Sequence, residues 1–136
     1  MIFDCTPHPS KRPVSIVFEA GPTHDGLPTA KLLVDMAVQA GADAIKFQII
    51  DAKKIVPSKD TLFTYEVLKN RHTGERETIT ESLQEILSRR ELTFPEWVEL
   101  IAYCKEKNLL FFATASNAEE MEFLANAGCA CVKICS

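Results

Sequence analysis

The strongest constraint on this chain is its rhythm: short β-branched runs alternate with stretches of helical periodicity, and a turn or capping residue marks most junctions. "VSIVFE", Val14 to Glu19, lies between Pro13 and Gly21 and reads as a strand. Pro28 then opens a helix with Ala30, Leu33, Val34, Ala37 and Val38 on one face, and Gly41 ends it. "DAIKFQII", from Asp43, is a second strand whose near-continuous apolar character suits a parallel sheet covered on both faces. Residues 51–78 read as a long polar loop with one helical turn around Leu62 to Leu68, and a loop of this length in a compact domain is usually functional or mobile. Leu83, Ile86 and Leu87 give a short helix, and Thr93-x-x-Glu96 is a capping box before a longer one with Trp97, Leu100, Ile101 and Cys104 inward. A third strand starts at Leu109. Ser116-x-x-Glu119 caps a helix with Ala118, Met121, Leu124 and Ala125 inward, Gly128 ends it, and a fourth strand runs from Ala130. Helical connections throughout require parallel strands in the order 1-2-3-4 and right-handed crossovers, so the class is α/β. A small doubly wound sheet and half of a (β/α)8 barrel both satisfy the pattern.

With 136 residues, 46% of them hydrophobic, the chain is long enough for one domain with a core. Its formal charge of -4, with basic residues scattered singly or in pairs, leaves no footprint for nucleic acid or an anionic membrane. An anionic ligand must then be held by a few aimed cations. No apolar stretch approaches membrane-spanning length and the N-terminus has no signal-peptide pattern, which makes the cytoplasm the default expectation. Of five cysteines, Cys129, Cys131 and Cys135 share one apolar run at a spacing that is not a common zinc pattern, and they read as small buried thiols.

An internal repeat sharpens the picture. "AGADAIKFQ" (Ala40 to Gln48) and "AGCACVKIC" (Ala127 to Cys135) carry Ala-Gly, then a β-branched residue and Lys at equal offsets. In a barrel, alternate strands feed one interior layer, so Lys46 and Lys133 are expected to point inward at one level. A lysine snorkelling from an edge strand explains either one singly, but the repetition amid apolar neighbours favours a site, because a buried lysine is costly without an anion.

Ligands of parallel α/β folds sit beyond the carboxyl ends of the strands. Glu19, Lys46, Gln48, Thr114, Lys133 and Ser136 fall there. Two cations and two hydroxyls could receive a phosphate or carboxylate, and Glu19 could accept from sugar hydroxyls or act as acid or base. Strand ends also carry such residues without function. His24 reads as a turn residue bonded to local backbone, Asp25 as a shaper of the same turn, and Trp97 and Phe123 as packing.

Together these stretches resemble the sialic acid synthases, or N-acetylneuraminate synthases. "EAGPTHDG" resembles their E-x-G-x-N-H-x-G turn, "AGADAIKFQ" is similar to their second strand and "GCACVKICS" to a G-x-x-x-x-K-I-x-S fourth strand, over Val14 to Ser136. Thr23 stands where that family has Asn, a departure that bears on sugar preference. The resemblance implies the first half of a TIM-type (β/α)8 barrel over residues 14–136, preceded by a tail at 1–13. It implies condensation of phosphoenolpyruvate with N-acetylmannosamine or a related N-acylated amino sugar. Lys46, Thr114, Lys133 and Ser136 would bind phosphoenolpyruvate, Glu19 would serve catalysis at the acceptor sugar, and Gln48 would support the site. A divalent metal, Mn or Mg, is implied as well, with its ligands expected beyond residue 136. Half a barrel exposes strand edges, so a homo-oligomer is expected, and the chain alone is expected to be inactive. The alternatives are a non-catalytic anion-binding module and a self-assembling half-barrel.

Overall fold

The structure, a computed structural model, describes residues 14–134; the tail at 1–13, Cys135 and Ser136 lie outside the described residues. In chain order the elements are β1 (Val17–Gly21), α1 (Leu27–Gln39), β2 (Ala44–Gln48), α2 (Ala52–Ile55), β3 (Leu62–Leu68), β4 (Arg76–Ser82), α3 (Leu83–Ser88), α4 (Phe94–Glu106), β5 (Leu110–Ala115), α5 (Ala118–Asn126) and β6 (Val132–Ile134). They fall into two compact units, Met1–Ile49 with Arg90–Ser136, and Ile50–Arg89.

The first unit is a four-stranded sheet in the order β1-β2-β5-β6, parallel at every pairing. Successive side chains of a strand point to opposite faces, and β2 uses this fully. Ile45 and Phe47 are completely buried in a core with Val34 and Ala37 of α1, Trp97 and Leu100 of α4, and Leu124 of α5. Each of the larger aliphatic and phenyl side chains in it contributes about 1.5–3 kcal/mol relative to exposure. Phe47 meets Trp97 edge-on at 5.9 Å and stacks on Phe111 at 5.8 Å. On the outside, the Tyr103 hydroxyl of α4 donates to the Asp35 carboxylate of α1 at 2.9 Å, tying the two helices together.

Helix ends follow local chemistry, with one shift. Thr93 and Glu96 form the expected capping box: the Glu96 amide donates to Thr93 Oγ1, and the Thr93 amide donates back to Glu96 Oε2 at 2.7 Å. The cap of α5 sits one residue later than expected, on Asn117, whose side chain accepts from the Glu120 amide. Glu120 turns inward because its carboxylate accepts from the Ser116 amide and the Asn117 side chain, both at 2.6 Å. That rotation leaves Ala118, Met121 and Ala125 exposed, so of the residues expected inward only Leu124 is buried.

The second unit corrects the expected loop. Residues 62–68 are not a helical turn but strand β3, paired antiparallel with β4 from Leu62↔Ser82 to Leu68↔Arg76. The intervening turn bends at Gly74, φ +73°, where the Asn70 side chain accepts from the His72 amide. Thr64 and Thr80 hydroxyls meet across the strands at 2.9 Å. Glu81 accepts from the Tyr65 hydroxyl and, through both oxygens, from Arg89, and the guanidinium foremost holds its carboxyl down at about 2. Gln84 is buried and donates to the Val56 carbonyl at 2.6 Å.

His24 also departs from expectation. Instead of bonding to turn backbone, its ring is fully buried between Phe47 and Trp97, with centroids 5.9 and 6.0 Å away. Neither ring nitrogen has a hydrogen-bond partner. Burial above all, then the nearby Arg90 charge, lowers its pKa, against a smaller opposing pull from Asp25.

Two stability predictions follow from these local arrangements. Thr93→Ala, which removes the capping hydroxyl, should cost about 1 kcal/mol in urea unfolding; an unchanged midpoint would contradict the cap. For His24 the unfolded chain takes up the proton more readily than the folded one, so stability is full above the unfolded value of 6.5 and declines as pH falls through it. Urea midpoints measured from about pH 7 to 5 should therefore fall more steeply for the wild type than for His24→Gln. Parallel slopes would show that His24 stays outside the core.

Candidate functional site

The face of the sheet opposite the core carries the polar residues singled out by the sequence. In register, Glu19 pairs with Lys46, Gln48 with Thr114, and Thr114 with Lys133, and residues paired this way project to the same side. Lys46 Nζ lies 2.6 Å from Glu19 Oε2 and donates to Thr114 Oγ1 at 3.4 Å. The partners differ in freedom: the Lys46 side chain is 19% exposed and that of Glu19 57%. Thr114 is buried, Gln48 half-buried and Lys133 exposed. Toward the amino ends the same face turns mostly apolar, with Val17, Ala44, Leu110, Phe112 and Cys131, together with the polar Ser15 and Asp43, lining an open cleft of about 190 Å³. A charged layer thus rests on an apolar one, which strengthens electrostatic contacts made there.

The strand end that presents Glu19 is shaped by backbone. The register of β1 against β2 slips between Glu19 and Gly21, and Gly21 takes φ +49°, a region that side chains disfavour. Beyond it, Thr23 donates its hydroxyl to the Ala20 carbonyl at 2.7 Å, and Asp25 accepts from the Thr29 hydroxyl at the start of α1. That hydrogen bond is the main reason the Asp25 carboxyl lies below its ordinary range. Arg90 Nη1 donates to the Pro22 carbonyl at 2.7 Å and clamps the turn from far along the chain. Nothing in the sequence marks Arg90 for this, since it stands in an ordinary polar linker.

Glu19, Lys46, Gln48, Thr114 and Lys133 therefore share one face, while Ser136 lies outside the described residues. Lys46 pairs with Phe112 and Lys133 with Thr114, so Lys133 leads Lys46 by two residues across the two strand steps from β2 to β6. Tilted strands of a TIM-type barrel stagger by about one residue per strand, so this offset is compatible with the expected common layer. Phe112, missed by the sequence reading, is the apolar neighbour of Lys46 in this register.

Two buried thiols of the first unit are poorly suited to chemistry. Burial pushes the Cys104 thiol up to about 12 and that of Cys129 to about 11, which keeps both protonated. Among the described residues no group of three or more His, Cys, Asp or Glu side chains is placed to hold a metal ion.

Comparison with known proteins agrees with this fold. The NeuB family profile matches residues 33–136. The spore coat polysaccharide biosynthesis protein SpsE of Bacillus subtilis is 32% identical over 125 residues, 91% of this chain and 31% of its own length. The N,N'-diacetyllegionaminic acid synthase of Campylobacter jejuni is 32% identical over 120 residues, 88% of this chain and 34% of its own. Among solved structures, the N-acetylneuraminic acid (sialic acid) synthetase of Leptospira borgpetersenii, in complex with citrate, superposes with a TM-score of 0.67 at 26% identity, covering 91% of this chain and 36% of that one. The chain thus spans about a third of the length of these relatives. Its parallel β/α units are those of the first half of a TIM-type barrel, and the chain belongs to the NeuB family.

Proposed function

We propose that this face of the sheet is the phosphoenolpyruvate side of a sugar-acid synthase site. The observation that carries the reading is the mostly buried Lys46 ammonium, set in a strand beside the Thr114 hydroxyl, on the face that also carries a second lysine, Lys133. Glu19 already pairs with this cation, and a phosphate or carboxylate reaching the same face would accept charge-assisted hydrogen bonds from both ammonium groups and the hydroxyl. The family match and relatives named as synthases of legionaminic and sialic acids support a sugar-acid synthase over a bare anion-binding module.

In this reading Lys46, Thr114 and Lys133 hold the enol phosphate, with Ser136 as a further contact. Glu19, half-exposed at the rim, faces the acceptor, an N-acylated amino sugar, and Gln48 supports it. C3 of phosphoenolpyruvate forms a bond to the sugar's aldehyde carbon, the aldehyde oxygen takes a proton, water adds at C2, and inorganic phosphate departs. The lysines orient the enol and offset its charge before the C–C bond forms. The described residues do not supply the ligand set for the implied divalent metal.

Calorimetric titration of the chain with phosphoenolpyruvate tests the reading. Lys46→Ala should weaken binding about 10- to 100-fold, the loss of a charge-assisted contact worth about 1.5–3 kcal/mol, and Lys133→Ala should weaken it in the same direction. Equal affinity in the wild type and both variants would refute the assignment.

A further inference from the structure

We propose that Glu19 is a built-in competitor for the anion site: its carboxylate neutralises Lys46 in the free protein, and an incoming anion must displace it. This deepens the reading of the site as a receptor for the enol phosphate and rests on it. Three observations carry it. The Glu19–Lys46 contact, at 2.6 Å, is an ion pair made inside the proposed site, between residues paired in register on adjacent strands. Lys46 is mostly shielded and is further held by Thr114, whereas the Glu19 side chain is more than half exposed, so the carboxylate is the partner free to swing. Finally, β1 slips its register just after Glu19 and turns at Gly21, which leaves this strand end less firmly constrained by the ladder than Lys46 in β2.

The charges decide what happens next. Without an anion, Lys46 would stand mostly buried and unpaired, and Glu19 removes that cost. When a phosphate or carboxylate arrives, two negative groups contend for one ammonium, and their mutual repulsion favours the arrangement in which the exposed one moves out. A displaced Glu19 carboxylate at the rim is then free to accept from hydroxyls of the acceptor. The same side chain thus keeps the lysine neutralised before the anion binds and becomes available afterwards.

The test measures affinity for inorganic phosphate and for phosphoenolpyruvate in the wild type, Glu19→Gln, Glu19→Asp and, as a control for overall charge, Glu99→Gln. Glu99 pairs with Lys31 on the outer helices. Glu19→Gln should tighten binding about three- to tenfold, within the range expected from an exposed ion pair and added repulsion. Glu19→Asp, which keeps the charge but draws it back by one methylene, should fall between, and Glu99→Gln should match the wild type. If the wild type binds and Glu19→Gln binds equally or more weakly, the competitor role is wrong while the anion site stands. An equal gain in Glu99→Gln would likewise overturn it, by assigning the effect to net charge. Failure of every folded variant, verified by circular dichroism, to bind either anion would remove the anion site and the competitor together.

Discussion

Everything in the first unit hangs on the two-residue alternation of one strand, β2. Ile45 and Phe47 fill the core between sheet and helices, and Lys46 and Gln48 stand on the other face. A slip of one residue would bury the lysine among Trp97 and Leu100 and expose Phe47, so the register that makes the core also fixes the polar layer. Stability and site are for this reason not separable at β2. Neighbouring strands inherit the constraint, because β5 pairs with β2 residue by residue, and β1 does so as far as Glu19, which brings Glu19 and Thr114 to Lys46.

That coupling explains which features were legible in the sequence. The strands and helices of the first unit were, since β-branched runs, helical spacing and the Thr93–Glu96 box are local signals and the structure uses them locally. The strand-end positions of Glu19, Lys46, Gln48, Thr114 and Lys133 were legible too, as parallel pairing sends all these ends in one direction. What escaped depended on partners distant in sequence. Arg90 reaches Pro22 across 68 positions, and His24 finds Phe47 and Trp97 only once sheet and α4 are packed. The β3–β4 hairpin escaped for another reason: Leu62 and Leu68 are 65% and 54% exposed, so its apolar residues do not follow the burial that periodicity reads. In α5 the inward face was misread because a capping carboxylate, Glu120, is buried while Met121 is not.

His24 shows the cost side of this architecture. A fully buried imidazole with both nitrogens unpaired is less favourable than an apolar side chain of similar size, and it belongs to the turn that follows Glu19. Around it, Arg90, Thr23 and Asp25 each tie the same turn to a different point, the Pro22 and Ala20 carbonyls and the Thr29 hydroxyl. The turn is thus held by several modest contacts, while Glu19 at its start remains half-exposed.

The central claim is that Lys46 and Lys133 together receive one anion at the carboxyl ends of the strands. Proton–carbon NMR spectra of the lysine ε-methylenes, recorded as phosphoenolpyruvate is added, test it most directly. The account predicts saturable shifts at Lys46 and Lys133 with one common dissociation constant, while Lys31 and Lys107 on the outer helices stay in place. Shifts confined to exposed lysines such as Lys31 and Lys107, or different dissociation constants at Lys46 and Lys133, would contradict it.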